Sequence, residues 1–205
     1  VYMMAHLSIA GSKDKTAYNK GKYILKNTYV NHIRFFGKQL LIGSPSGVFA
    51  YSQNAAQPRL LLRGYSVLSS YHDVKAHQIW LGTFHRGILL LDDRTWKPLS
   101  SLTRFSSLSD IPLIPVRSII PYDAATILMA VDGAGVYAYD KKTCKTNLLL
   151  NTDGRPENVL HGNGVYALCK DHLGDLWMGS YSGGVDMAIP MEHTLEFVRH
   201  EYLNS

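Results

Sequence analysis

The chain has 205 residues, of which 46% are hydrophobic and 18% charged, and its formal net charge is +5. This composition is typical of a globular protein and excludes intrinsic disorder. No apolar run approaches the roughly 18 residues that a membrane-spanning helix needs, and residues 1–7 lack the basic flank and cleavage site of a signal peptide. We therefore expect a soluble segment without membrane contact, whose leader or anchor, if any, lies outside it.

The first notable feature along the chain is a basic cluster, with five lysines in residues 13–26 and only Asp14 opposing them. Nucleic-acid grooves combine such charges with aromatic residues at stacking spacing, which this cluster lacks. A solvated hairpin explains the lysines, so nucleic acid is not expected as a partner.

A template of strand, glycine turn and strand then recurs four times. Its copies occupy residues 40–48, 79–88, 127–136 and 176–185, and the apolar residues after the second glycine are spaced by 40, 48 and 49 residues. Such a period, built of short strands, is typical of propeller blades. Residues 1–4 match residues 136–139, which indicates that the chain begins inside a repeat.

Each period is predicted to form four antiparallel strands. First strands are expected at 30–35, 67–71, 116–120 and 165–169, and fourth strands near 22–26, 59–63, 99–104, 145–150 and 195–199. Because no segment longer than about ten residues keeps a 3.6-residue apolar period with caps, helices are not expected. The fold class is therefore predicted as all-β, a β-propeller of about four and a half blades.

The predicted boundaries put the third and fourth strands of a preceding blade at 1–29 and whole blades at 30–66, 67–115 and 116–164, with a last blade at 165–205 that ends at the threshold of the next repeat. An open series of blades exposes inter-blade faces to water. We accordingly expect the native protein to continue on both sides, and these residues alone to associate through open faces or to aggregate.

Individual residues in the repeat also have predicted roles. Trp80 and Trp177, at one repeat position, are expected to fill the wedge between adjacent blades rather than to stack on a ligand. Asp73, Asp123 and Asp171 recur at the turn after the first strand, which favours a carboxylate bonded to its own backbone. The two cysteines, Cys144 and Cys169, fall in a remote turn and an inner strand, so free thiols are favoured over a disulfide.

Catalytic signals are missing from the sequence. There is no H-E-x-x-H among the nine histidines and no G-x-S-x-G. The glycine-rich runs 132–135 and 162–164 join strand to strand and lack the helix that a phosphate site requires. We expect no catalytic residue, no metal and no cofactor in this segment.

Residues 171–180, Asp-His-Leu-Gly-Asp-Leu-Trp-Met-Gly-Ser, followed by Gly183-Gly184-Val185, resemble the two-component regulator propeller repeat, Asp-x-x-Gly-x-Leu-Trp-Ile-Gly-Thr-x-x-Gly-Gly. The resemblance is strong over 165–205 and 67–91 and looser over 30–51 and 116–139. It implies the periplasmic sensor region of a Bacteroidetes hybrid two-component histidine kinase. The parent ring would have seven blades, the full-length protein would form a homodimer anchored in the inner membrane, and the kinase would lie outside this chain.

In a four-stranded meander, the loops between strands two and three lie at the same end as the loops between blades. The resemblance implies an oligosaccharide ligand, and an aromatic, amide and guanidinium surface suits a saccharide. The predicted ligand-binding residues are Phe84, His85, Arg86, Asn163 and Tyr181. Three alternatives stay open: a segment used only for packing or dimerisation, a protein-interaction scaffold, and a propeller lyase of the streptogramin-lyase type.

Overall fold

The computed structural model describes residues 24–26, 28–99, 103–153, 159–191 and 194–197. The chain divides into two compact units, Val1–Ser66 and Val67–Ser205. Almost every described element is a β-strand, and all the strand pairs are antiparallel neighbours in sequence. The all-β propeller built of antiparallel meander blades is thereby confirmed.

The described part of the first unit contains one sheet in the order β1-β2-β3-β4. Its strands are β1 (His32–Phe36), β2 (Gln39–Ser44), β3 (Gly47–Ser52) and β4 (Arg59–Arg63). Five of the six residues of β2 are buried, which explains why this strand reads as a continuous apolar run rather than an alternating one. A strand predicted near 22–26 is not formed by residues 24–26, and residues 22–23 lie outside the described part.

The second unit contains three sheets, each in sequence order. The first sheet has β5 (Val67–Asp73), β6 (Gln78–Thr83) and β7 (Ile88–Asp92). The second has β8 (Val116–Pro121), β9 (Thr126–Val131), β10 (Gly135–Asp140) and β11 (Lys145–Leu150). The third has β12 (Val165–Lys170), β13 (Leu176–Ser180), β14 (Gly184–Met191) and β15 (Thr194–Phe197).

The fourth strand predicted at 99–104 is not formed by residues 99, 103 and 104, residues 100–102 lie outside the described part, and the expected lack of helices is wrong. Leu99 still donates its N–H to the Leu90 carbonyl at 2.8 Å, but Thr103–Asp110 forms a 3-10 helix. Phe105, Leu108 and Ile111 are all buried, and a spacing of three residues matches the three-residue turn of this helix. Tertiary burial of this face decides the structure, since the segment is too short to show a helical period.

The core of the second unit lies between neighbouring sheets. Trp80 is fully buried, with its ring centroid 5.1 Å from Tyr139 and 6.3 Å from Phe105. The inter-blade role predicted for Trp80 is confirmed. A second cluster buries Leu128 of β9 against Leu176 and Met178 of the following sheet.

The inter-blade role predicted for Trp177 stays a prediction, because its side chain is 40% exposed and no further blade lies against it among the described residues. Its Nε1 donates instead to Asp171 Oδ2 at 2.9 Å. Trp80 is covered by Phe105 and Tyr139, which follow it in the chain. Within the described residues, nothing equivalent covers the corresponding face of β13.

The turn aspartates have the predicted role. Asp73 Oδ1 accepts from the Ala76 amide at 3.1 Å, Asp123 Oδ1 from the Thr126 amide at 2.7 Å, and Asp171 Oδ1 from the Asp175 amide at 3.0 Å. Asp92 and Asp140 do the same at the turn after the third strand, where the sequence analysis did not seek them.

Both cysteines are free, as predicted, with Cys144 partly buried and Cys169 exposed on β12. In the described part of the chain, no helix is long and apolar enough to cross a membrane.

Candidate ligand-binding site

In each of the three sheets of the second unit, the first strand carries a β-bulge at its second residue. The pairing skips Leu68 between Val67 and Ser69 in β5, and it skips Arg117 in β8 and Tyr166 in β12 in the same way. A bulge leaves one residue unpaired and redirects its side chain. The repeat thus presents three side chains at the same end of the sheets.

Arg117 is the centre of this arrangement. Its Nε and Nη2 donate to Asp132 Oδ2 at 3.0 and 2.8 Å, and Nη2 also donates to the Tyr166 hydroxyl at 3.3 Å. The guanidinium carbon lies 4.3 Å from the centroid of the Tyr166 ring and 6.0 Å from that of Phe84. Asp132 therefore neutralises the charge, while the guanidinium lies over the aromatic rings at cation-π distance.

Tyr181 extends the arrangement outward from Tyr166. The two ring centroids are 5.4 Å apart with an interplanar angle of 31°, and Tyr181 is 77% exposed. We name the set Phe84, Arg117, Tyr166 and Tyr181 the aromatic-arginine surface. It draws one or two residues from each of the three sheets of the second unit.

The loop of residues 161–164 supports this surface through backbone hydrogen bonds. The Asn163 carbonyl accepts from the amides of Gly133 and Gly135, and the Gly164 carbonyl accepts from the Tyr181 amide at 2.8 Å. The loop therefore joins the turn that carries Asp132 to the turn that carries Tyr181. The predicted meeting of inter-blade loops with the loops between strands two and three is confirmed in the second unit.

The five predicted ligand-binding residues occupy different environments. The rings of Phe84 and His85 contact each other with centroids 4.2 Å apart, and the Phe84 ring also lies within cation-π distance of Arg117. Arg86 is exposed, and its amide donates to Thr83 Oγ1 at 2.8 Å. The Asn163 side chain bonds Thr152 through both its oxygen and its nitrogen, which gives it a loop-bracing role.

Sequence reasoning missed Arg117 and Tyr166. Both follow the first buried valine of their strand, Val116 and Val165, at a position that alternation alone assigns to an ordinary strand residue. The signal available in the sequence was that this position holds a large side chain in three successive repeats: Leu68, Arg117 and Tyr166. The bulge that turns these side chains outward is not visible in one sequence.

The opposite end of the second unit carries an ion pair between two sheets. Lys141 Nζ lies 2.6 Å from Asp73 Oδ2, and Asp73 is 5% exposed. Burial raises the pKa of Asp73, but hydrogen bonds from Lys141 and Ala76 and the charge of Lys141 outweigh it and hold the pKa below the ordinary aspartate value. This end is a structural tie between blades. Across the described residues, no group of three or more His, Cys, Asp or Glu side chains is arranged to hold a metal ion.

Residues 160–182 match the family described as two component regulator propeller. This match covers the supporting loop, β12, β13 and Tyr181. The chain carries a two component regulator propeller repeat. The repeat resemblance seen in the sequence at residues 171–180 is thereby confirmed, and no curated protein sequence matches the chain.

Solved structures with this propeller fold include the extracellular domains assigned to the hybrid two component systems BT4673 and BT3049 from B. thetaiotaomicron. The first has a TM-score of 0.65 at 18% identity over 80% of this chain, and the second 0.65 at 16% over 84%. The computationally designed protein Ika4 is similar over 82% of this chain and 98% of its own length, with a TM-score of 0.55 at 12% identity. The propeller repeat chain spans only 22% and 24% of the two natural domains.

Proposed function

We propose that this chain is the ligand-sensing propeller segment of a periplasmic two-component sensor and that it binds a neutral oligosaccharide at the aromatic-arginine surface. The observation that carries the proposal is the series of cation-π and ring contacts among Phe84, Arg117, Tyr166 and Tyr181 at one end of three blades. Aromatic rings take the apolar faces of sugar rings, while phenol and guanidinium groups bond the hydroxyls. Because Asp132 neutralises Arg117, the surface favours an uncharged ligand over a uronate.

In this proposal the full-length sensor carries out signalling, and this segment binds the ligand without supplying a catalytic group. The kinase would lie elsewhere in the protein. The other partners of this segment would be the further blades of the same protein and a second copy of the protein in a homodimer. The exposed face of β13 and β14, with Trp177 and Val185 at 40% and 62% exposure, offers apolar area for packing a further blade.

The test is calorimetric titration of the protein with four neutral tetrasaccharides, built from glucose, galactose, mannose and xylose, and with a uronate-containing counterpart. We expect one neutral tetrasaccharide to bind with a negative heat-capacity change. Tyr181→Ala should weaken that binding by about tenfold or more, since ring stacking is lost.

Leu173→Ala is the control, because Leu173 is 72% exposed in the turn between β12 and β13, at the other end of the blade. It should leave the affinity unchanged. Absence of binding to every probe, or equal effects of the two variants, would contradict the proposal.

A further inference from the structure

The last described blade departs from its own repeat at one buried position. The position lies on the third strand of each blade, where it pairs in turn with Ile42, Leu81, Met129 and Met178 of the second strands. The residues found there are Phe49, Leu89, Tyr137 and Asp186. Three blades thus use an apolar or aromatic side chain where the fourth has a carboxylate that is 4% exposed.

Burying a carboxylate costs several kcal/mol unless partners compensate for it. Among the described residues, both hydrogen-bond partners of the Asp186 carboxylate belong to His161. Oδ2 accepts from the His161 amide at 3.2 Å, and Oδ1 bonds His161 Nδ1. Because a carboxylate only accepts, Nδ1 carries the proton of this bond.

The other edge of the imidazole faces water. The His161 side chain is 63% exposed although its Nδ1 is held by a buried group. Within the described residues Nε2 has no hydrogen-bond partner, and in the neutral ring that carries its proton on Nδ1 this nitrogen is an acceptor. A buried carboxylate that fixes the tautomer and orientation of an exposed imidazole is an arrangement that proteins use at binding and catalytic sites.

His161 also lies at the edge of the candidate site. It begins the supporting loop whose Gly164 carbonyl accepts from Tyr181, and a Cβ on Gly183 would lie 2.8 Å from the His161 carbonyl carbon. His161 and Tyr181 therefore lie on two loops that are packed and hydrogen-bonded to each other at the same end of the blade.

We propose that His161 is a ligand-binding residue that accepts a hydrogen bond from a sugar hydroxyl through Nε2, with Asp186 as its positioning residue. The inference rests on the proposed function and adds an imidazole acceptor to the phenol and guanidinium groups of the aromatic-arginine surface. A loop brace alone would account for the bond to Asp186 but not for an oriented, exposed Nε2 on the loop that is hydrogen-bonded to Tyr181.

The experiment uses variants that separate bracing from binding. His161→Asn keeps a donor where Nδ1 stands and removes Nε2, whereas Asp186→Asn can donate to Nδ1 and so moves the ring proton to Nε2. Each is titrated with the same four neutral tetrasaccharides, beside Tyr181→Ala, and unfolded in urea. ¹⁵N shifts of the His161 ring report the tautomer in the wild type and in Asp186→Asn.

We expect His161→Asn to keep the urea midpoint and to bind about three- to tenfold more weakly, the range for one lost hydrogen bond. Asp186→Asn should bind more weakly with the tautomer reversed. Unchanged affinity in His161→Asn, with Tyr181→Ala impaired, overturns the role of His161 and leaves the proposed function standing. No binding by the wild type overturns both. A wild-type ring that carries a proton on Nε2, alone or together with Nδ1, overturns the inference by itself.

Discussion

Replacing Trp80 by alanine removes the largest fully buried side chain of the second unit. The indole fills the wedge formed with Phe105 and Tyr139, so its loss combines the transfer of a large apolar surface with a cavity between two sheets. Buried Trp→Ala substitutions cost about 3–5 kcal/mol, a large part of the roughly 5–15 kcal/mol that stabilises a typical protein. We expect a fall in this range in the free energy of unfolding.

Two matched variants isolate the cause. Trp80 Nε1 is buried and has no hydrogen-bond partner among the described residues. Trp80→Phe removes this unpaired donor, whose burial costs about 1–3 kcal/mol, and so offsets part of the lost volume. We expect a net cost below about 1.5 kcal/mol, as for volume-conserving core substitutions.

Trp177→Ala changes the same repeat position where the side chain is 40% exposed. The free energy of unfolding should fall by less than about 2 kcal/mol, because the substitution removes only partly buried apolar area and one hydrogen bond to Asp171. Urea unfolding followed by far-UV circular dichroism gives all three values. A loss in Trp177→Ala equal to that in Trp80→Ala would refute this explanation of the repeat tryptophans.

Two further outcomes follow from the packing between blades. The Asp73–Lys141 pair stabilises the fold above the aspartate pKa of the unfolded chain, because the pKa of Asp73 is lower in the folded state. This stabilisation is lost as the pH falls through the folded-state pKa of Asp73. In the Asp73→Asn variant, the free energy of unfolding should therefore change less with pH below about pH 4 than in the wild type. Gly82→Ala should destabilise by about 1–3 kcal/mol, because its Cβ would lie 2.6 Å from the Val116 carbonyl oxygen. Gly179→Ala, at the same repeat position with its nearest contact at 3.7 Å, should be tolerated in urea unfolding, and equal losses would contradict this reasoning.

The aromatic-arginine surface shows how a repeat protein builds a site without changing its fold. The bulge recurs in all three inner strands of the second unit, while the residue placed on it changes from Leu68 to Arg117 to Tyr166. The scaffold thus fixes position, and the repeat-to-repeat substitutions set the chemistry. Asp186, at a position that is apolar or aromatic in the other blades, follows the same logic in the interior.

The sequence by itself determined the features that repeat. The spacing of the glycine template predicted the blades, the turn aspartates and the burial of Trp80, since each depends on local turn chemistry or on apolar periodicity within one repeat. The family resemblance at residues 171–180 needed no structure either.

Only the tertiary structure decided the features that depend on neighbouring blades. Trp80 and Trp177 share one sequence position, yet one is covered by Phe105 and Tyr139 and the other is partly in water. The 3-10 helix at Thr103–Asp110 forms because its apolar residues, spaced three apart, pack into the same buried cluster as Trp80 and Tyr139. Arg117, Asp132 and Tyr166 come together because a bulge redirects side chains across a blade boundary, and no pattern within a single strand encodes that contact.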